Sequence, residues 1–414
     1  MGLVPKLFYG WVIVGAAFVS HLLSYGVVTV AFGIFFPFMA SALDLSRGLL
    51  ATTGVSTRLA AAGLAPLIGP LIDRRGPRLV MAAGVVSLGA GAVTLAIADG
   101  VGGVFLGYGV LMSIGLVTLG ELTADSTVAR WFIRRRGRAL AWATMGMSVA
   151  GVVLPIPLAL VIGRFGWRMA WVSLAVAIVV LGSAATVAMR HRPEDSGLVP
   201  DGDAALRLGE PARRGGNTEV SFTAREAVRT TAFWLLVLST NLPALALTGA
   251  NLHLFSYLID KGLGAGAAAA LLTYLYVLQG VSKPVWGFIA ERVHVRYCIG
   301  MCYFGGAAGL VLLVRSGALE TVIIFATVYG LTRGAQVFVT SLAWADYFGR
   351  AAQGAIRGVA TPFRLTASTL GPVLGGFLYD GTGNYVLAFS LFAAAFALAG
   401  LVALAAKPPL KRGA

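Results

Sequence analysis

The chain has 414 residues, of which 58% are hydrophobic and only 12% are charged, and its mean hydropathy is +0.84. Since about a quarter of the residues of a soluble domain are charged, this composition excludes an ordinary soluble protein. The formal net charge is +15, but the cations lie in short segments between apolar runs. That distribution follows the positive-inside rule and argues against a nucleic-acid partner.

Twelve apolar stretches are long enough to cross a bilayer. They predict an all-α membrane protein with twelve transmembrane helices in two six-helix halves. An orientation with both termini in the cytoplasm places most of the Lys and Arg residues on that side. The first stretch lacks the pattern of a cleaved signal peptide, so we expect it to be retained. The predicted spans are 8–39, 47–72, 78–98, 101–132, 138–163, 168–189, 230–258, 266–290, 297–314, 319–346, 356–378 and 385–406.

The long polar segment 190–229 is rich in Pro, Gly and charged residues, and it predicts a flexible cytoplasmic linker. A short amphipathic helix is expected near 221–228. The linker separates an N-terminal six-helix bundle, 1–189, from a C-terminal six-helix bundle, 230–414.

One loop pattern occurs in both halves. Gly69-x-x-x-Asp73-Arg74-x-Gly76-x-Arg78 follows the second span, and the eighth span ends with Gly287, Glu291, Arg292 and Arg296 in the same register. Internal repeats of this kind predict a substrate site between the halves, near the membrane midplane, with alternating access by rocking. The acids can accept hydrogen bonds from a neighbouring helix end, while the arginines hold the loop at the cytoplasmic face.

The repeated loop resembles the signature of the major facilitator superfamily, which implies that fold and a role in gating for Asp73, Arg74, Glu291 and Arg292. A narrower resemblance, to the branch of oxalate:formate antiporters and monocarboxylate transporters, covers nearly the whole chain. The motifs that carry it are Phe8-Tyr-Gly-Trp, Trp131-Phe-Ile-Arg-Arg-Arg-Gly-Arg-Ala139, Pro193-Glu-Asp-Ser-Gly-Leu-Val-Pro-Asp-Gly202, Ala232-Phe-Trp-Leu and Leu370-Gly-Pro-Val-Leu-Gly-Gly.

Four cations lie well inside predicted spans, away from the span ends: Arg58, Lys283, Arg333 and Arg364. Arg58 and Glu121 are predicted at equal depth in spans 2 and 4, which favours a structural ion pair. The other three cations lie in the C-terminal half, whose acids are all at span ends. A low-dielectric site with excess positive charge is stable only if an anion completes it or a lysine deprotonates. We therefore predict a carboxylate held by Lys283 and Arg364.

The resemblance implies the same two positions. Lys283 stands where the family usually has a substrate-binding arginine, and Arg364 stands where oxalate exchangers have a lysine. A snorkelling lysine is the alternative for Lys283, and pairing with Glu121 or Asp125 is the alternative for Arg364. Arg333 could equally be a structural cation bonded to backbone carbonyls.

Other polar residues could line the site. Gln279 and Tyr276 share a helix face with Lys283. Span 1 contains Tyr25 and His21, and each of them could line the cavity or belong to the core. In span 7, His253 and Asp260 lie on one face and resemble the His/Asp pair of bacterial proton-coupled lactate transporters. We expect them to couple a proton, although an interfacial histidine is the alternative.

No enzyme is predicted, because the sequence has no nucleotide-binding loop and no cluster with metal-ligand spacing. We expect neither cofactor nor metal, and we expect Cys298 and Cys302, one turn apart in an apolar span, to be core residues.

The sequence therefore predicts a multi-pass carrier of small carboxylate anions in a bacterial inner membrane. Its expected partners are a carboxylate, a proton and membrane lipid, and we expect a monomer. Resemblance favours proton symport of a monocarboxylate such as lactate, whereas two cations would also suit an oxalate:formate type of exchange. Drug/proton efflux and an anion receptor that does not transport are alternatives of other classes; the cationic midplane argues against efflux.

Overall fold

The structure is a computed structural model that describes residues 8–45, 47–202, 213–214, 217–218, 221–317 and 319–409. Most of these residues are helical. A two-residue strand, β1 (Arg213–Arg214), pairs antiparallel with β2 (Asn217–Thr218). The helices are α1 (Gly10–Tyr25), α2 (Phe32–Ala42), α3 (Arg47–Arg75), α4 (Pro77–Ala96), α5 (Val101–Val104), α6 (Met112–Leu119), α7 (Glu121–Trp131), α8 (Arg136–Val153), α9 (Pro155–Ala188), α10 (Ala224–Ala227), α11 (Thr231–Asp260), α12 (Ala265–Arg292), α13 (Val295–Arg315), α14 (Leu319–Phe348), α15 (Gln353–Thr382) and α16 (Val386–Ala405).

Each of the twelve predicted spans is occupied by helix, so the prediction of an all-α membrane protein is confirmed. Within the described residues, nine stretches are long and apolar enough to cross a membrane. One of them, Arg136–Ala188, contains two predicted spans, which Gly166 separates with φ 81°. The helices α12 and α15 are not among the nine, and they are the two that carry Lys283 and Arg364.

Two predicted spans are less regular than their apolar sequences suggest. Span 1 passes through a π-helical segment, Gly26–Ala31, between α1 and α2, and span 4 contains another, Phe105–Leu111. The two segments meet where the Tyr108 hydroxyl donates to the Val28 carbonyl. The Tyr108 ring also stacks on Phe32, with 3.6 Å between ring centroids. Because each π-turn frees backbone groups, a partner of this kind helps to stabilise it.

Span 4 is also interrupted at Gly120, whose backbone is extended, so α7 begins at Glu121 as a separate helix. A broken helix leaves backbone carbonyls without donors, which is unfavourable inside a membrane. Here the Ser20 hydroxyl donates to the Leu119 carbonyl. The predicted span 101–132 is thus present as one membrane-crossing stretch, Val101–Trp131, whose helix is broken at Gly120.

The chain forms two compact units. The first comprises Met1–Thr223 with Gly349–Pro362, and the second comprises Ala224–Phe348 with Phe363–Ala414. In the first unit α1 packs on α8 and α9, and α4 packs on α6 and α9. In the second unit α13 packs on α14 and α16, α12 packs on α14, and α11 packs on α16.

The first residues of the predicted linker, 190–202, are packed on the first unit, unlike a flexible segment. The carboxylate of Asp201 accepts hydrogen bonds from the backbone N–H groups of Ile133, Arg134 and Arg135, at 2.9, 2.8 and 3.0 Å. The Arg190 guanidinium lies 4.1 Å from the centre of the Tyr9 ring. Pro, Gly and Asp form tight capping turns as readily as flexible linkers, so composition alone did not distinguish the two. The short helix expected near 221–228 is present as α10.

Candidate transport site

Lys283 lies in the interior of α12, and only 2% of its surface is exposed. The next residue, Pro284, has no N–H and therefore cannot donate to the Gly280 carbonyl one turn earlier. The helix α12 packs closely on α14 at two glycines. A side chain at Gly334 would collide with Ser282 and the Gln279 carbonyl, and one at Gly330 would lie 3.0 Å from the Leu275 carbonyl.

That close contact places Arg333 of α14 beside α12. The Arg333 guanidinium lies 5.5 Å from the centre of the Tyr276 ring and 5.9 Å from that of Tyr329. Arg364 lies on α15, is half-buried, and is within electrostatic range of the Tyr303 phenol. Three cations thus occupy helix interiors of the second unit. Its acids lie at the two ends of its helices or outside the predicted spans: Glu226, Asp260, Glu291, Glu320, Asp346 and Asp380.

The residues expected to line the site differ in exposure. Tyr276 is exposed, and Gln279 is half-buried one turn before Lys283. Tyr25 is half-buried at the junction between α1 and the π-helical segment Gly26–Ala31, in the first unit. Their roles in substrate binding stay predictions.

His253 takes part in a polar cluster near the end of α11. Its Nδ1 lies 3.3 Å from the Tyr385 hydroxyl, and its Nε2 lies 3.0 Å from the Pro372 carbonyl. Asp260, at the last position of α11, is exposed and is within electrostatic range of the same Tyr385 hydroxyl. Tyr385 therefore contacts His253 and interacts electrostatically with Asp260, and the sequence analysis assigned no role to this tyrosine.

Another cation at this end of α11, Lys261, is hydrogen-bonded to backbone carbonyl groups. The Lys261 ammonium donates to the carbonyls of Val314 and Ser316, at 3.1 and 2.7 Å. Burial lowers the pKa of Lys261 below its ordinary value. Since two carbonyls already coordinate it, Lys261 is a structural tie between α11 and the end of α13.

In the first unit, Asp73 of the repeated loop caps α15. Its carboxylate accepts hydrogen bonds from the Gly354 and Ala355 N–H groups, at 3.0 and 2.7 Å, and from the Arg130 guanidinium. Free N–H groups of a helix amino terminus favour a carboxylate there. Arg74, the next residue, is exposed. In the second copy of the loop, Glu291 is half-buried and Arg292 is exposed.

A buried polar triad lies close to this cap. His21 Nε2 is 2.8 Å from one carboxylate oxygen of Asp125, and Arg357 Nη2 is 3.3 Å from the other. His21 and Asp125 are fully buried, and Arg357 is 7% exposed. His21 therefore belongs to the protein core and does not line a cavity, which were the two alternatives that the sequence left open. The triad also adds Arg357 to the buried cations, although the sequence analysis did not count this arginine as buried.

Arg58 and Glu121 are both half-buried. Their predicted ion pair stays a prediction. Glu121 is the first residue of α7, so the positive end of that helix also stabilises its carboxylate.

His191 lies in the packed start of the linker, and its pKa is lowered from its ordinary value. Burial, followed by the nearby charges of Arg130 and Arg192, lowers its pKa to about 4. The ring is therefore neutral at pH 7. Across the described ranges, no group of three His, Cys, Asp or Glu side chains has the arrangement of a metal site.

Comparison with known proteins places these features in a family. The family model described as "Major Facilitator Superfamily" matches residues 17–276 and 244–414. Monocarboxylate transporter 11 of Homo sapiens is 27% identical over 395 residues, which are 92% of this chain and 80% of the relative. Monocarboxylate transporter 3 of Rattus norvegicus is 28% identical and covers 95% of this chain and 79% of its own. The MFS transporter asaE of Aspergillus flavus is 27% identical, with 91% and 81% covered.

Solved structures give the same fold. The proton:xylose symporter XylE matches with a TM-score of 0.70 at 13% identity, over 95% of this chain and 94% of that one. The human organic anion transporter MFSD10 matches with a TM-score of 0.70 at 15% identity, over 95% and 99%. The relatives and structural neighbours are membrane transporters rather than enzymes. The family model covers most of the chain, and the chain therefore belongs to the major facilitator superfamily as a multi-pass membrane transporter.

Proposed function

We propose that this transporter carries small organic carboxylate anions by alternating access. The observation that carries the proposal is Lys283, buried in the interior of α12 in a unit whose acids lie at helix ends or beyond them. An excess of cations over acids inside the helices of one unit favours an anionic ligand there. A carboxylate accepts several charge-assisted hydrogen bonds from lysine and arginine.

The number of cations supports an anion rather than a cation as substrate. Lys283, Arg333 and Arg364 lie inside helices of the second unit, whereas an efflux carrier for cations would need a membrane-embedded acid there. The printed names of the human and rat relatives add support for a monocarboxylate. Lysine gives a compact charge and arginine a planar fork, so together they suit one carboxylate with a neighbouring polar group.

We further propose that transport of a monocarboxylate such as lactate is coupled to a proton through His253 and Asp260. The Tyr385 hydroxyl lies 3.3 Å from His253 and interacts electrostatically with Asp260, which supports a proton-handling role for this end of α11. In the same scheme Asp73 and Arg74, with Glu291 and Arg292 in the second copy, brace the cytoplasmic gate. A bacterial inner membrane, both termini in the cytoplasm and a monomeric state are parts of this proposal.

The test is transport by the purified chain in proteoliposomes. Uptake and counterflow would be measured for acetate, L-lactate, pyruvate, oxalate and succinate, with and without a pH gradient. We expect Lys283→Ala and Arg364→Ala each to reduce carboxylate uptake by about tenfold or more, because a charge-assisted hydrogen bond is worth about 1.5–3 kcal/mol.

Arg315→Ala is the matched control, because it removes an exposed cation of the same unit. Its uptake should equal that of the wild type. The proposal fails if the wild type moves none of these carboxylates, or if both site variants transport at the wild-type rate. Exchange without proton coupling would appear as counterflow that a pH gradient does not accelerate.

A further inference from the structure

Arg333 is a buried cation that has no hydrogen-bond acceptor among the described residues. Only 8% of its surface is exposed, and its Nε is buried without a hydrogen-bond partner. Among the residues that the structure describes, it forms neither an ion pair nor a hydrogen bond. Its guanidinium lies instead over the Tyr276 and Tyr329 rings. The expected alternative of a structural cation bonded to backbone carbonyls is therefore not supported by the described residues.

The position of Arg333 is fixed by close packing of two helices. Gly330 and Gly334 lie on either side of it on α14, and the small-xxx-small spacing lets the α12 backbone approach. Because Gly334 touches Gln279 and Ser282, Arg333 is held near the part of α12 that carries Lys283 one turn further on. The arginine therefore belongs to the same helix pair as the lysine.

The permanent charge of arginine determines which partners a buried guanidinium needs. A lysine can lose its proton when it is buried, but arginine stays charged in proteins, so a buried guanidinium needs an anion or acceptors. The tyrosine rings contact the guanidinium through the faces of their π-systems. Aromatic contact leaves the N–H groups at the guanidinium edge without acceptors. The Tyr329 hydroxyl, one turn earlier on α14, is also buried without a partner.

We infer that Arg333 is a substrate-binding residue that forms a second carboxylate-binding position on the α12–α14 pair, in addition to Lys283. Its ligand is a planar carboxylate, which the N–H groups of the guanidinium bind while the Tyr276 and Tyr329 rings hold the guanidinium in place. This inference rests on the proposed transport of carboxylates. It predicts that the affinity for a carboxylate depends on Arg333 as well as on Lys283.

The test compares wild type with Arg333→Gln and Arg333→Lys, with Arg315→Gln as the matched loss of an exposed cation. L-lactate and oxalate serve as probes, and KM for uptake and ligand-induced thermal stabilisation are measured for each variant. We expect Arg333→Gln to raise KM by about tenfold or more, since it removes charge-assisted hydrogen bonds. Arg333→Lys should have an intermediate KM, because it keeps the charge and loses the planar fork.

Thermal unfolding without ligand distinguishes binding from structure. If Arg333 binds substrate, Arg333→Gln removes an unpaired buried charge, so its Tm should equal or exceed that of the wild type while the ligand-induced shift is lost. A variant with wild-type KM, or with a lowered Tm and an undiminished ligand-induced shift, would overturn the inference. If the wild type itself binds and moves no carboxylate, the proposed function fails and this inference fails with it.

Discussion

Three arginines near helix ends are among the most buried side chains of the first unit: Arg130, Arg136 and Arg357. Each has a partner that stabilises its charge. Arg130 donates to Asp73, Arg357 to Asp125, and Arg136 to the carbonyls of Ala129 and Phe132 at the end of α7. Sequence position places such residues in the cytoplasm, because basic residues at span ends usually lie there. Burial of Arg130 and Arg357 depends on partners that are distant in the chain.

Asp125→Asn tests the buried triad. The substitution removes the anion that Arg357 and His21 share, so we expect the free energy of unfolding to fall by about 3–5 kcal/mol, as when one partner of a buried pair is removed. The matched control is Asp99→Asn, since Asp99 also pairs with an arginine, Arg168 at 3.2 Å, but its side chain is 93% exposed. The control should change stability by about 0.5 kcal/mol or less. Denaturation of the purified protein in detergent measures both, and equal stability of the two variants would contradict the role given to the triad.

Helices of this protein are broken or widened at places that hydropathy does not reveal. The apolar run of span 4 continues through Gly120, yet the helix ends there and restarts at Glu121. A single glycine is tolerated in many membrane helices, so the sequence alone gives no sign of the break. What distinguishes this glycine is a hydroxyl on another helix, Ser20, that satisfies the freed carbonyl.

The packed start of the linker depends on one carboxylate. Asp201 accepts three backbone N–H groups from the loop between α7 and α8, in the manner of a helix N-cap. Asp201→Ala should lower the free energy of unfolding by about 1–2 kcal/mol, the usual effect of losing such a cap. It should also speed tryptic cleavage after Arg190.

Two further variants define this test. Asp201→Asn keeps one oxygen and tolerates the left-handed backbone of this position, where φ is 60°, so its effect should be intermediate. Asp195→Ala removes a more exposed acid of the same segment and serves as the control. Cleavage of Asp201→Ala at the wild-type rate would show that the segment is held by other contacts.

For the whole molecule, the sequence predicts more of the fold than of the site. Apolar length predicted twelve spans, each of which is occupied by helix, and the repeated loop indicated the family. Lys283 was found because a lysine in the interior of an apolar run is conspicuous. Tyr385 and Arg357 were not found, because their importance comes from contacts with residues more than a hundred positions away in the chain. The lack of an acceptor for Arg333 is likewise a property of packing.

Coupling to a proton is a property of the complete transport cycle, and His253→Gln tests it. In wild-type proteoliposomes, an imposed gradient of one pH unit should drive about tenfold accumulation of L-lactate, since one unit is worth about 1.4 kcal/mol per proton. His253→Gln should abolish accumulation and retain counterflow at equal pH. The control, His294→Gln, changes an exposed histidine of the same unit and should accumulate normally. Accumulation by His253→Gln would show that the proton takes another route.

The two cysteines of the chain, Cys298 and Cys302, form no disulfide and are buried one turn apart on α13. Their thiols are therefore shielded from aqueous maleimides and spin-label reagents in the folded protein. The natural sequence is in effect a low-background host for site-directed labelling. Cysteines introduced singly or in pairs at exposed positions can be derivatised directly, so distances can be followed through the cycle by fluorescence or electron paramagnetic resonance without first removing native thiols.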